Sequence, residues 1–223
     1  MRRSVLLVLG LTASAAVFSA CRDAAVAPAE RAGTPVDLQV PPVQFDELAE
    51  QPKGVTHTVT LDPARDIRYS DGVTSISIPA GSICDPASSY GPAYWDAPCA
   101  PATAPITLDV TLSRAHGGIV VHFGRDLRFA PTTDPSKQVT LVAEVPSVAS
   151  ATASAAAYAI LWVPTGSTSF VDEGATDPSL ATVVDRSSGR LLRRLKHFSG
   201  YYVNLGYQAQ CDPNTGENCT GGN

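Results

Sequence analysis

The four histidines, His57, His116, His122 and His197, are the first residues to ask about chemistry. None stands in an H-E-x-x-H motif or an i, i+4 pair, so their spacing builds no hydrolytic zinc site. They fall in segments that read as strands and loops, where histidines ordinarily make local hydrogen bonds. Serine chemistry finds equally little. Gly166-Ser167-Thr168-Ser169 lacks the flanking glycine and the following helix of a nucleophile elbow. No glycine-rich phosphate or dinucleotide loop is present, so no cofactor is expected. Asp172, Glu173 and Asp177 cluster after one strand, and Asp212, Asn214 and Glu217 cluster in the tail. Oxygen ligands at alternate positions suit calcium, but neither stretch has the spacing of an EF-hand loop. These side chains are expected to be solvated loop carboxylates, with no metal.

The cysteines carry a stronger signal. Arg2 and Arg3 precede an apolar run from Val5 to Phe18, and Ser19-Ala20-Cys21 follows. This is the plan of a secretory leader, too short to be a good membrane span. Its ending resembles a bacterial lipobox, which implies cleavage before Cys21 and acyl chains, such as palmitate, on that residue. A plain signal peptide with a free Cys21 thiol is the rival. Two or more acyl chains anchor a protein stably. Arg22 after the lipidated position favours the outer membrane. With Cys21 acylated, Cys84, Cys99, Cys211 and Cys219 remain. An even number in an oxidising compartment reads as two disulfides. The favoured pairing is Cys84–Cys99 and Cys211–Cys219, because each closes a local loop rich in turn residues. Four zinc thiolates are the rival, but neither pair has C-x₂₋₄-C spacing.

The chain has 223 residues, 16 Lys and Arg against 21 Asp and Glu, and a net charge of −5. That acidity gives no electrostatic reason to bind nucleic acid. Apolar residues at 44% support a real core. Residues 1–20 read as the leader and 21–52 as an Ala/Pro-rich linker, with Pro28, Pro35, Pro41, Pro42 and Pro52. Residues 53–207 read as the folded domain and 208–223 as a flexible tail. Inside the domain, period-two alternation rich in Thr, Val and Ile marks about nine short strands. They lie near residues 55–61, 74–79, 106–112, 119–123, 139–145, 158–163, 180–184, 191–195 and 201–205. Ser70-Asp71-Gly72, Gly117-Gly118, Asp134-Pro135 and Ser188-Gly189 separate several of them. The expected fold is an all-β antiparallel sandwich. Residues 149–157 fit a short helix or a loop equally. Residues 82–105 form a long irregular segment, and a cross-link is its simplest account.

The last strand, Leu195-Lys196-His197-Phe198-Ser199-Gly200-Tyr201-Tyr202-Val203, resembles the final strand of the ZU-five domain. That β-sandwich occurs in zonula occludens proteins, netrin receptors and ankyrins. Other pieces match in order. Ile76-Ser77-Ile78-Pro79-Ala80-Gly81-Ser82-Ile83 resembles the early strand and its Pro-x-Gly turn. Leu127-Arg128-Phe129-Ala130-Pro131 and the strand ending near Pro146 resemble the middle, and Leu161-Trp162 the later aromatic strand. The resemblance covers residues 55–206. It departs in the long 84–99 loop and in the absence of the partner domain common in animal proteins. Exported bacterial lipoproteins with this ending resemble it most.

The resemblance implies one sharp possibility, because some animal members cut themselves between Phe and Ser of a His-Phe-Ser motif. By that match, Ser199 would attack the carbonyl of Phe198 with His197 as general base. A plain strand reading competes and predicts an intact chain. His197, Ser199 and Tyr201 would then share one face while Phe198 packs in the core. The expected function is therefore non-catalytic: a binding or structural module in the cell envelope, held by its lipid. Its partners would be the membrane, envelope proteins or polysaccharide. Self-processing at Phe198-Ser199 is the alternative. A carbohydrate-binding sandwich using Tyr90, Tyr94 and Trp95 is a further one.

Overall fold

Alternating β-branched residues set the strands, and turn chemistry sets their ends. The computed structural model describes residues 34–44, 48, 53–150 and 157–206. Eleven strands occur among them. They are β1 (Val36–Gln39), β2 (Val55–Leu61), β3 (Ile67–Ser70), β4 (Thr74–Ile78), β5 (Ile106–Ala115) and β6 (Gly118–Arg128). The rest are β7 (Val139–Glu144), β8 (Tyr158–Val163), β9 (Val183–Asp185), β10 (Arg190–Leu195) and β11 (His197–Leu205). They form a six-stranded sheet, β1-β3-β4-β7-β10-β9, and a five-stranded sheet, β2-β5-β6-β11-β8. The protein is an all-β sandwich. Every strand pairing is antiparallel except β1 with β3.

The core fills the space between the sheets. Leu112, Val121, Leu141, Ile160, Leu191 and Val203 are fully buried there. Burying one such aliphatic side chain stabilises the fold by about 1.5–3 kcal/mol. Two hairpin turns show why the strands end where they do. Between β3 and β4, the Asp71 carboxylate accepts from Val73 N–H (2.9 Å), Thr74 N–H (2.6 Å) and the Thr74 hydroxyl (2.7 Å). Between β5 and β6, His116 and Gly117 both take positive φ, 50° and 74°. Two such residues match the twist of a tight hairpin.

Two expected features changed. Nine strands were expected and eleven are present, the additions being β1 and β3. The linker was expected to run through residue 52, yet β1 lies inside it. Val36 N–H donates to Asp66 O (2.7 Å) and Val43 N–H to Asp71 O (2.8 Å), and Val43 and Leu48 are buried. Proline bars central ladders but tolerates an edge strand flanked by Pro35 and Pro41, which is how β1 survives there. A helical turn occupies Ser147–Ser150, at the start of the stretch expected to be a helix or loop, and residues 151–156 of that stretch lie outside the described residues. The leader, Cys21, the tail, Cys211 and Cys219 lie outside the described residues.

Candidate functional site

β11 is buried on both faces along residues 197–203. On the core side Phe198 stacks on Phe123 with ring centroids 4.0 Å apart, and Phe129 meets it edge-on at 4.8 Å. Farther along the strand, Phe170 covers Tyr202 at 4.3 Å. The pairing with β6 slips between Phe198 and Gly200: Phe198 faces Leu127, but Gly200 faces His122. β8 joins β11 only from Gly200 onward. Ser199 therefore falls at a break in both ladders. A side chain at Gly200 would meet Val163 O at 3.1 Å, so the close approach of β8 favours glycine.

The gap beside His197 is filled by loops. Cys84 and Cys99 form a disulfide with Cα atoms 5.6 Å apart, and the loop it closes folds back over β11. Arg128 donates to the carbonyls of Tyr94 and Ala97, and Lys196 Nζ reaches Asp96 (2.6 Å). Lys196 also pairs with Asp177 at 2.6 Å. The hydrogen bond from Lys196 holds the Asp177 carboxyl down at about 2. This docking lays Trp95 flat on the His197 ring, 4.0 Å between centroids, and brings Tyr90 alongside. Trp162 from β8 closes the box edge-on at 5.1 Å.

Inside that box His197 Nε2 and Ser199 Oγ are both hydrogen-bonded to neighbours, whereas Trp95 Nε1 and Arg193 Nε have no hydrogen-bond partner among the described residues. His197 Nε2 lies 3.0 Å from Glu173 Oε1, and Glu173 Oε2 is 2.7 Å from Arg193 Nη2. Arg193 also donates to Ile160 O, so a buried guanidinium bridges the two sheets. A carboxylate paired with arginine only accepts, so Nε2 carries the proton that it donates to Glu173. Nδ1 is then left with a lone pair facing the Tyr90 hydroxyl (3.2 Å) and the Tyr201 hydroxyl (3.4 Å). Burial pushes the His197 pKa down, against the opposing pull of Glu173, and keeps the ring neutral. Tyr201 donates to His197 O (2.7 Å) and Tyr90 to Phe198 O (2.8 Å). Ser199 Oγ accepts from Trp162 Nε1 (2.7 Å) and faces Val163 O at 3.4 Å. Burial raises the Tyr90 phenol well above its usual range, while the Ser199 hydroxyl beside it pulls the other way.

His197, Phe198 and Ser199 are thus brought together on one strand, but the imidazole is held by Glu173 at Nε2, with Nδ1 facing two phenols whose protons go to backbone carbonyls. Ser199 is held by Trp162 and Val163. What connects Ser199 to His197 is Tyr90, from the disulfide loop. The acidic cluster differs from the expectation of solvated carboxylates. Glu173 is buried in the histidine–arginine network, whereas Asp172 and Asp177 cap short 3-10 turns through Gly174 N–H (2.9 Å) and Ser179 N–H (3.0 Å). Of the three aromatics in the sugar-binding reading, Trp95 is buried, Tyr90 is half-buried and Tyr94 is exposed. Arg193 and Glu173 were missed as a site. The signal existed: Leu191, Arg193 and Leu195 share one parity on β10, which aims an arginine into the core. Comparison of the chain with protein-family models, with curated proteins and with solved structures finds no match.

Proposed function

We propose that this chain is an exported, lipid-anchored module in which a ZU-five-like sandwich serves binding or structure in the cell envelope. The observation that carries the proposal is the use made of His197 and Ser199. Both are spent on internal hydrogen bonds beneath a disulfide-clamped loop. A surface loop closed by a disulfide suits an oxidising compartment, in line with the leader and Cys21. The His-Phe-Ser-Gly-Tyr ending and the order of the matching segments support the ZU-five reading. Mass analysis of membrane-extracted protein is the test. Acyl groups on Cys21 are expected; an unmodified Cys21 in a soluble fraction would end the proposal.

A second reading has one contact in its favour. Tyr90 donates to the carbonyl of Phe198 and touches Nδ1 of His197. Polarising that carbonyl is what an attack by Ser199 would need: the serine oxygen would add to the Phe198 carbonyl carbon, the C–N bond would break as the serine proton passes by way of His197 to the freed Ser199 amine, and water would then hydrolyse the resulting ester. In this reading the chain divides between Phe198 and Ser199.

A further inference from the structure

Two sheets have four edges, and three of them are blunted. β1 has four residues, follows Pro35, precedes Pro41 and Pro42, and carries Asp37. β9 has three residues and ends on Asp185. β8 is covered: Trp162 exchanges backbone hydrogen bonds with Val171 at 2.9 and 2.8 Å, and Ile160 N–H donates to the Thr182 hydroxyl at 2.8 Å. These are the usual defences against edge-to-edge pairing.

β2 has none of them. Its seven residues, Val55-Thr56-His57-Thr58-Val59-Thr60-Leu61, contain no Lys, Arg, Asp, Glu or Pro, and they pair with β5 in unbroken register. Among the described residues no other backbone segment hydrogen-bonds to β2. The strand is rich in β-branched residues and, among the described residues, keeps an unpaired row of N–H and C=O groups along its outer edge.

We propose that β2 pairs with β2 of a second copy of this chain, antiparallel and centred on Thr58, fusing two five-stranded sheets. The sequence is nearly self-complementary in that register. On the exposed face Thr58 meets Thr58, and Thr56 meets Thr60 of the second copy. The protein already builds this kind of pair between β2 and β5: Thr56–Thr111 and Thr60–Thr107 hydroxyls lie 2.9 Å apart. On the core side Val55 meets Leu61, and His57 meets Val59. Charge selects the same arrangement. Lys53 and Asp62 flank β2 at opposite ends, so the antiparallel pair sets Lys53 of each copy beside Asp62 of the other. A parallel pair would set like beside like, which is unfavourable. The inference holds whether or not Cys21 is acylated.

Cysteine scanning of the full chain in intact producing cells tests it. Directly opposed strand residues have Cα atoms about 4.5–5.5 Å apart, within disulfide reach. Thr58→Cys should therefore give a disulfide-linked dimer on a non-reducing gel. Thr60→Cys should not exceed the wild-type level, because the two Thr60 sites stand about 13 Å apart in this register. Thr58→Lys should abolish the dimer of the detergent-extracted chain in sedimentation while the circular-dichroism spectrum stays that of the parent, the ammonium facing Asp109 in place of the Thr58 hydroxyl that donates to it at 2.6 Å. No linkage through Thr58→Cys, or equal linkage through both cysteine variants, overturns the proposal. So does an adduct whose mass is not twice the chain, since another protein would then occupy the edge.

Discussion

Two arginine–glutamate pairs lie three residues apart along β10, and they have opposite weight. Arg190 meets Glu144 at 3.0 Å on the surface, with side chains 50% and 39% exposed. Arg193 meets Glu173 at 2.7 Å in the interior, with side chains 0% and 11% exposed. The same chemistry is nearly free to break outside, where water replaces the partner and exposed pairs are worth about 0–1 kcal/mol. Inside, the surviving partner is left charged without water, which costs about 3–5 kcal/mol. The inner pair also orients His197, so the candidate site rests on it. The difference teaches that β10 sets the site through burial, not through the number of its charges.

The largest expected effect is therefore at Glu173. Glu173→Ala should lower the unfolding free energy by about 3–5 kcal/mol in urea titration, against no more than about 1 kcal/mol for Arg190→Ala. Equal losses would break the comparison. Phe198→Ala should cost about as much as Glu173→Ala, because the removed ring leaves a cavity between Phe123 and Phe129. Replacing Cys84 and Cys99 together by serine comes next. Closing a loop of this length is worth about 3 kcal/mol in the chain-entropy model, and the melting temperature reads the loss.

A pH series sharpens the same contrast with a smaller effect. The folded pKa of His197 is lowered, so below about 6.5 the unfolded chain takes up a proton that the folded chain refuses. Stability should then fall as the pH drops from about 7 to 5, and His197→Gln should flatten that part of the profile. The Asp177–Lys196 pair belongs to a different window. With a folded pKa of about 2, Asp177 contributes stability above the unfolded value of 3.8 that is lost as the pH falls from there to about 2.

The sandwich was legible because period-two alternation is a local signal. β2 and β8 have the bounds that alternation predicted, and β5, β6 and β11 run longer. β3 was missed because four residues that include Arg68 carry too little pattern. β1 was missed because proline density hid an edge strand. β11 starts at His197, not Tyr201, because the register slip beside Ser199 disturbs the parity on which alternation depends. At the site, His197, Phe198 and Ser199 were found by resemblance, and the Cys84–Cys99 pair by loop composition. Tyr90, Glu173 and Arg193 reach the same place from three separate segments. No spacing along the chain encodes that meeting, although the inward parity of Arg193 pointed to a buried partner.

The central claim is that His197 and Ser199 are spent on structure, and the integrity of the chain tests it most directly. Freshly made protein should be run on a denaturing gel and weighed by mass spectrometry. The account predicts one species, uncut between Phe198 and Ser199, in the parent and in the Ser199→Ala and His197→Ala variants alike. A fragment beginning at Ser199 in the parent, lost in both variants, would contradict it and make Tyr90, His197 and Ser199 a self-cleaving centre.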